Sequence, residues 1–106
     1  MIKRAAVNNT LSYHDWLIDS LRNKKNALAY LQESLAAYQN DGNAESLLLA
    51  LRHVAEAEGG IAKLAQKSKL HRVTLYRTLS ARGNPTLQTV RLLFNTLGFS
   101  LAVKLQ

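Results

Sequence analysis

The stretch Gly59-Gly60-Ile61-Ala62-Lys63-Leu64-Ala65-Gln66-Lys67-Ser68-Lys69-Leu70-His71-Arg72-Val73-Thr74-Leu75-Tyr76-Arg77-Thr78-Leu79 decides the fold. Behind a glycine pair, Ile61, Leu64 and Ala65 recur at helical steps. Leu70, Leu75 and Leu79 then form a second apolar line, with Ser68-Lys69 between the two. Two short helices joined by three or four residues are the core of a DNA-binding helix-turn-helix. The small Ala65 falls where the helices would cross, Leu70 would plug the turn, and Leu75 and Leu79 would hold the second helix down. Any compact helix pair shares this spacing, so the polar residues must separate the two readings.

They favour DNA. With Leu70, Leu75 and Leu79 inward, the second helix turns His71, Arg72, Val73, Tyr76 and Arg77 outward, its first turn leading into a major groove. Arg72 and Arg77 are candidates for bidentate contact with guanine or for phosphate clamps. The exposed apolar Val73 suits a thymine methyl, and Thr74 and Tyr76 could bond phosphates or base edges. Lys63, Gln66, Lys67 and Lys69 flank the turn and read as backbone contacts, as do Arg82, Asn84 and Thr86 beyond the helix. Helix N-termini near Gly60 and Thr86 would offer further N–H groups to phosphate.

Outward from this core the chain reads as helical. Ser12-Tyr13-His14-Asp15 has capping-box form and places a helix start near Ser12. Trp16, Leu17 and Leu21 form its stripe, with an expected end at Lys24-Lys25, where cations suit a C-terminus. Leu28, Leu31, Leu35 and Tyr38 mark a second helix, and Asn40-Asp41-Gly42-Asn43 a turn. A third helix runs from about Ala44 to Ala57, with Leu47, Leu48, Leu51, Val54 and Ala55 inward. After the break at Gly83-Asn84-Pro85, Thr86 caps a helix carrying Leu87, Val90, Leu93, Phe94 and Leu97, which Gly98 stops. Residues 1–11 show no period and read as a loose tail.

The last residues alternate, Phe99, Leu101, Val103 and Leu105 against Ser100, Ala102 and Lys104, which is a strand pattern. A lone strand in a helical chain leaves an edge unpaired. Pairing with the same strand of a second copy would resolve this, so a homodimer joined through Phe99, Leu101 and Val103 is expected. The expected fold is thus all-α, a helical bundle containing the helix-turn-helix, with a short C-terminal β-strand paired across the dimer. Residues 1–42 form an N-terminal region of tail and helices, and residues 43–106 the DNA-binding domain with its strand.

Charge divides the chain after Glu58. All seven acids of the 106 residues (Asp15, Asp19, Glu33, Asp41, Glu45, Glu56 and Glu58) lie at or before position 58. Against them stand six Lys/Arg, for a net −1, whereas residues 59–106 carry eight Lys/Arg and no acid. One half is suited to a polyanion and the other to a different partner. The absence of cysteine excludes disulfides, thiolate metal sites and thiol catalysis. Leu47 to Leu51 is too short an apolar run to cross a bilayer, and no apolar segment follows the basic Lys3-Arg4 as in a leader. A cytoplasmic protein fits best.

From Tyr13 to the C-terminus the sequence resembles the addiction-module antidote family, HigA-like antitoxins with a Cro/repressor-type helix-turn-helix. The resemblance rests on Ala27-Leu28-Ala29-Tyr30-Leu31, Leu48-Leu49-Ala50-Leu51-Arg52 and Gly59-Gly60-Ile61-Ala62-Lys63-Leu64-Ala65. It continues in Leu75-Tyr76-Arg77-Thr78-Leu79-Ser80 and Gly83-Asn84-Pro85-Thr86-Leu87. It implies a type II antitoxin that neutralises a cognate protein toxin by binding it, and that represses its own operon by binding a palindromic operator as a dimer. On that reading the N-terminal half, with Asp15, Trp16, Asp19 and Glu33, faces a basic toxin. Two positions depart from the family pattern. Lys69 stands where the tight turn usually has glycine, and His71 where the second helix usually has a serine cap. Lys69 at positive φ costs roughly 1 kcal/mol and could add a phosphate contact in return.

The enzyme reading is weak. His14, His53 and His71 lack metal-ligand spacing, and there is no nucleophile elbow or P-loop. The basic half holds no paired carboxylates, and Glu56 and Glu58 read as solvated at a helix end. No catalytic residue, metal or cofactor is therefore expected, and His53 reads as a partly buried structural histidine. A stand-alone Cro/repressor-type regulator would use the same DNA residues without a toxin. A protein-only interaction module would show no salt-dependent DNA binding.

Overall fold

The computed structural model describes residues 12–105; the expected tail over residues 1–11 lies outside them. The described chain contains six helices: α1 Tyr13–Ser20, α2 Lys24–Asp41, α3 Glu45–Ala57, α4 Ile61–Ser68, α5 Arg72–Thr78 and α6 Leu87–Thr96. Helix α3 packs against α1, α2 and α4, and α4 packs in turn against α5 and α6.

Local chemistry sets most of the boundaries. Ser12 opens α1, its Oγ accepting from the Asp15 N–H at 3.1 Å. The helix ends at Ser20, earlier than expected, because Asn23 starts a new one. The Asn23 Oδ1 accepts from the Lys25 and Asn26 N–H groups at 2.9 and 3.1 Å. Lys24 and Lys25 therefore open α2 instead of closing α1. A side-chain cap satisfying two orphan donors outweighs the modest dipole penalty on two exposed cations. Gly42 closes α2 in the left-handed conformation, with φ of 73°. Thr86 caps α6 as expected, accepting from the Thr89 N–H at 3.1 Å.

The core is built around α3. Leu48, Leu51 and Val54 are fully buried there, joined by Leu21 from α1's end, Leu75 and Leu79 from the α5 segment, and Leu93 from α6. Each such leucine contributes about 2 kcal/mol by leaving water. Helix α2 meets α3 through smaller residues than its leucine stripe suggests. Ala27, Leu31 and Ser34 are buried, whereas Leu28 and Tyr38 remain well exposed. Small side chains at the contact let the two helix backbones approach. Leu28 and Leu35 are left facing an open apolar groove whose far wall is Phe94, Phe99, Leu101 and Val103.

The expected C-terminal β-strand does not form: there is no strand among the described residues. Helix α6 ends in a Schellman cap, with the Gly98 N–H on the Asn95 carbonyl and the Phe99 N–H on the Phe94 carbonyl, at 3.0 and 2.8 Å. Phe99 and Leu101 then pack partly on the core, while Val103 and Leu105 are almost wholly exposed. Period-two alternation fixes which side chains share a side, but it cannot supply a neighbouring strand, and every other described element is helical. The C-terminal segment is an irregular arm.

Candidate nucleic-acid interface

The α4–α5 unit has the compactness that its spacing foretold. Ile61, Leu64, Ala65 and Ser68 are the buried face of α4, and Leu75 and Leu79 are fully buried beneath α5. The link is Lys69-Leu70-His71. Lys69 has φ of 65° and ψ of 23°, and is the one non-glycine residue at positive φ among the described residues. Its N–H bonds the Ala65 carbonyl at 2.8 Å, closing α4, and Leu70 packs against the core. His71 occupies the N-cap of α5 in an extended conformation without a capping side-chain bond. Both departures from the family pattern are thus visible as conformation.

All the residues expected to meet DNA are exposed. On α5 these are Arg72, Val73, Thr74, Tyr76 and Arg77, with His71 at its start; Val73 and Tyr76 are 67% and 55% exposed. Arg72 and Tyr76 are one turn apart, as are Val73 and Arg77. The four make a continuous outer stripe opposite Leu75 and Leu79. Gln66 and Lys69 flank the turn, and Arg82, Asn84 and Thr86 lie exposed past α5. Lys63 and Lys67 are exposed too, but they line a small cleft with Glu58, Thr96 and Leu97. The structure thus sets these two lysines beside the C-terminal end of α6, apart from the outer stripe of α5.

The C-terminal end of α5 is held by contacts that sequence reading missed. Arg52 of α3 donates from Nη1 to the Leu79 carbonyl at 3.0 Å. The Ser80 Oγ donates to the Arg77 carbonyl at 2.7 Å. Gly83 lies so close to the helix end that a Cβ there would sit 1.8 Å from the Thr78 oxygen. Glycine at 83 was legible as a chain breaker, but the backbone it must pass was not.

On the N-terminal half, Asp15, Trp16 and Asp19 share α1, and Glu33 is exposed on α2. Asp19 is paired with Arg22 at 3.0 Å, and Trp16 is 36% exposed with its ring 5.4 Å from that of Tyr13. The structure adds a cluster here. The Tyr30 hydroxyl lies 2.7 Å from His53 Nδ1, and the rings of His53 and His14 meet edge to face at 5.3 Å. His14 Nε2 lies 2.9 Å from a Glu56 carboxylate oxygen. His53 is held below its ordinary range by burial first and then by the neighbouring His14 and Arg52, with Glu56 opposing. Burial, Tyr13 and Glu33 raise the Tyr30 hydroxyl. The expected structural role of His53 fits these contacts. Among the described residues no group of three or more ligand-type side chains is placed to hold a metal. No helix of the described residues is long and apolar enough to cross a membrane.

Six helices with their core centred on α3, and an exposed basic helix carried on α4, are compatible with a helix-turn-helix protein. A family model described as probable addiction module antidote protein matches residues 11–105, so the chain belongs to that family of antitoxins. No curated protein and no solved structure gives a significant match.

Proposed function

We propose that this protein is the antitoxin of a type II toxin–antitoxin module. It neutralises a cognate protein toxin by binding it, and represses its own operon by placing α5 in the major groove of a palindromic operator. It acts in the cytoplasm and carries out no catalysis. One observation supports the DNA reading above others: Arg72, Val73, Tyr76 and Arg77 stand exposed directly above the fully buried Leu75 and Leu79. The helix is anchored by one face and presents a basic, hydrogen-bonding stripe on the other. Arg72 and Arg77 read guanine or clamp phosphate, and Thr74 bonds phosphate or a base edge. Gln66, Lys69, His71, Arg82, Asn84 and Thr86 contact the backbone around them, and Lys63 and Lys67 meet phosphates farther from the stripe. Two copies read the two half-sites, meeting through apolar contact of the arm residues Phe99, Leu101 and Val103. The toxin docks on the acid-bearing half through Asp15, Trp16, Asp19 and Glu33.

The test is a titration onto a duplex carrying the region upstream of the protein's own gene, at several salt concentrations. Wild type binds this duplex in preference to random DNA, with affinity falling as salt rises. Arg72→Ala/Arg77→Ala loses the preference. Equal binding to both duplexes by wild type overturns the DNA reading. Co-expression with the neighbouring gene products then separates an antitoxin, which co-purifies with its toxin, from a stand-alone regulator, which does not.

A further inference from the structure

We propose that Arg52 is a positioning residue for DNA reading: from α3 it fixes the C-terminal end of α5, and with it the angle at which the outer stripe is presented. The inference rests on the DNA-binding reading above.

Helix α5 has seven residues, two turns, which is too short to hold its own shape in water. Its entry is a turn through Lys69 and a His71 that caps nothing with its side chain. Its orientation is therefore set from below and from its far end. Leu75 and Leu79 press it onto the core, but apolar packing is non-directional and by itself lets the helix rock. The Ser80–Arg77 bond is local and would rock with it. The Arg52 bond differs, because it reaches the Leu79 carbonyl from a residue 27 positions away on another helix. Arg52 sits next to Leu51, which is 1% exposed at the centre of the core, so its stem starts from a helix packed into that core. A guanidinium is also well matched to this task. It is a permanent cation at a helix C-terminus, where unsatisfied carbonyls concentrate negative potential, and it is half-buried here, where that attraction is strengthened.

What this sets is discrimination more than adhesion. Bidentate pairing of Arg72 or Arg77 with a base edge tolerates little tilt, whereas long side chains follow phosphates through several rotamers. Loss of the Arg52 contact should therefore weaken operator binding and spare random-sequence binding.

Arg52→Met keeps the stem and removes the donors; Arg52→Lys keeps a single cationic donor. Both are compared with wild type on the upstream duplex and on a random duplex of equal length, at two salt concentrations. Amide exchange across α3 and α5 is followed in parallel without DNA. For Arg52→Met the expected result is about a tenfold loss on the upstream duplex with less than about a twofold loss on random DNA. The salt slope stays unchanged, and exchange speeds up at Leu75 to Leu79 but not in α3. Arg52→Lys recovers part of the preference, and it serves alone if Arg52→Met fails to fold. A preference and an α5 exchange rate equal to wild type in both variants overturn the positioning role while leaving the DNA reading intact. Absence of preference in wild type itself overturns both.

Discussion

The Tyr30 hydroxyl lies 2.7 Å from His53 Nδ1 and so ties α2 to α3 at a histidine that resists protonation. His14, Glu56, Arg52 and Tyr30 are the titratable and charged neighbours of that ring. Because the folded state holds His53 below its ordinary value of 6.5, the unfolded chain takes up this proton first as pH falls. Stability from this site is complete above that value and declines on acidification through it. Denaturant midpoints should fall between about pH 7.5 and about pH 5.5, and His53→Gln should flatten the dependence. An unchanged slope in His53→Gln would assign the effect elsewhere.

Lys69 pays a conformational penalty at φ of 65° that glycine would not. Lys69→Gly is expected to stabilise the fold by roughly 1 kcal/mol in urea denaturation. If Lys69 also meets a phosphate, the same substitution lowers the salt slope of operator binding by about one. Stability that drops on substitution would show that the lysine side chain makes a contact more valuable than the strain it bears.

Gly83→Ala should be among the more damaging single changes on the surface. The added methyl would overlap the Thr78 carbonyl at 1.8 Å, and the obstacle is backbone, not a side chain that can swing away. The expected cost is about 2 kcal/mol or more, read from thermal or chemical unfolding. A loss below about 0.5 kcal/mol would mean that the loop passes α5 with room to spare.

Lys24 gathers the ends of three elements. Its Nζ donates to the Leu97 carbonyl at 2.6 Å, lies 3.1 Å from a Glu58 oxygen and stands 4.8 Å from the Phe99 ring centre. Lys24→Met keeps the stem and removes these polar contacts. Since the side chain is about half exposed, a loss of about 1 kcal/mol is expected. Faster amide exchange at Gly98 and Phe99 should accompany it; unchanged protection there would leave the arm anchored by Phe99 and Leu101 alone.

Much of the buried and exposed sides of α4 and α5 was legible because the signals are local. Ile61, Leu64, Ala65, Leu75 and Leu79 declare both buried faces by spacing, and what is left over must point outward. Thr86 and Gly98 mark their helix ends for equally local reasons. Competition between signals hid the boundary at Asn23, where a cap and two lysines argue for different elements. The rotation of α2 toward Ala27 and Ser34 was illegible because small residues score low in an apolar stripe, yet they permit the closest packing. Alternation at Phe99 to Leu105 told which residues share a side without telling whether a ladder exists. Contacts such as Arg52 to Leu79 or Lys24 to Leu97 depend on how distant elements fall together, and nothing in either neighbourhood announces them.

The outer stripe of α5 has an evolutionary consequence. Arg72, Val73, Tyr76 and Arg77 all lie outside the core, so exchanging them costs the fold little. On the proposed DNA reading, sequence preference would then drift in small steps while Leu75, Leu79 and their support stay as they are. A genome carrying several such modules could keep their circuits insulated from one another by changing these four positions alone, without rebuilding any scaffold.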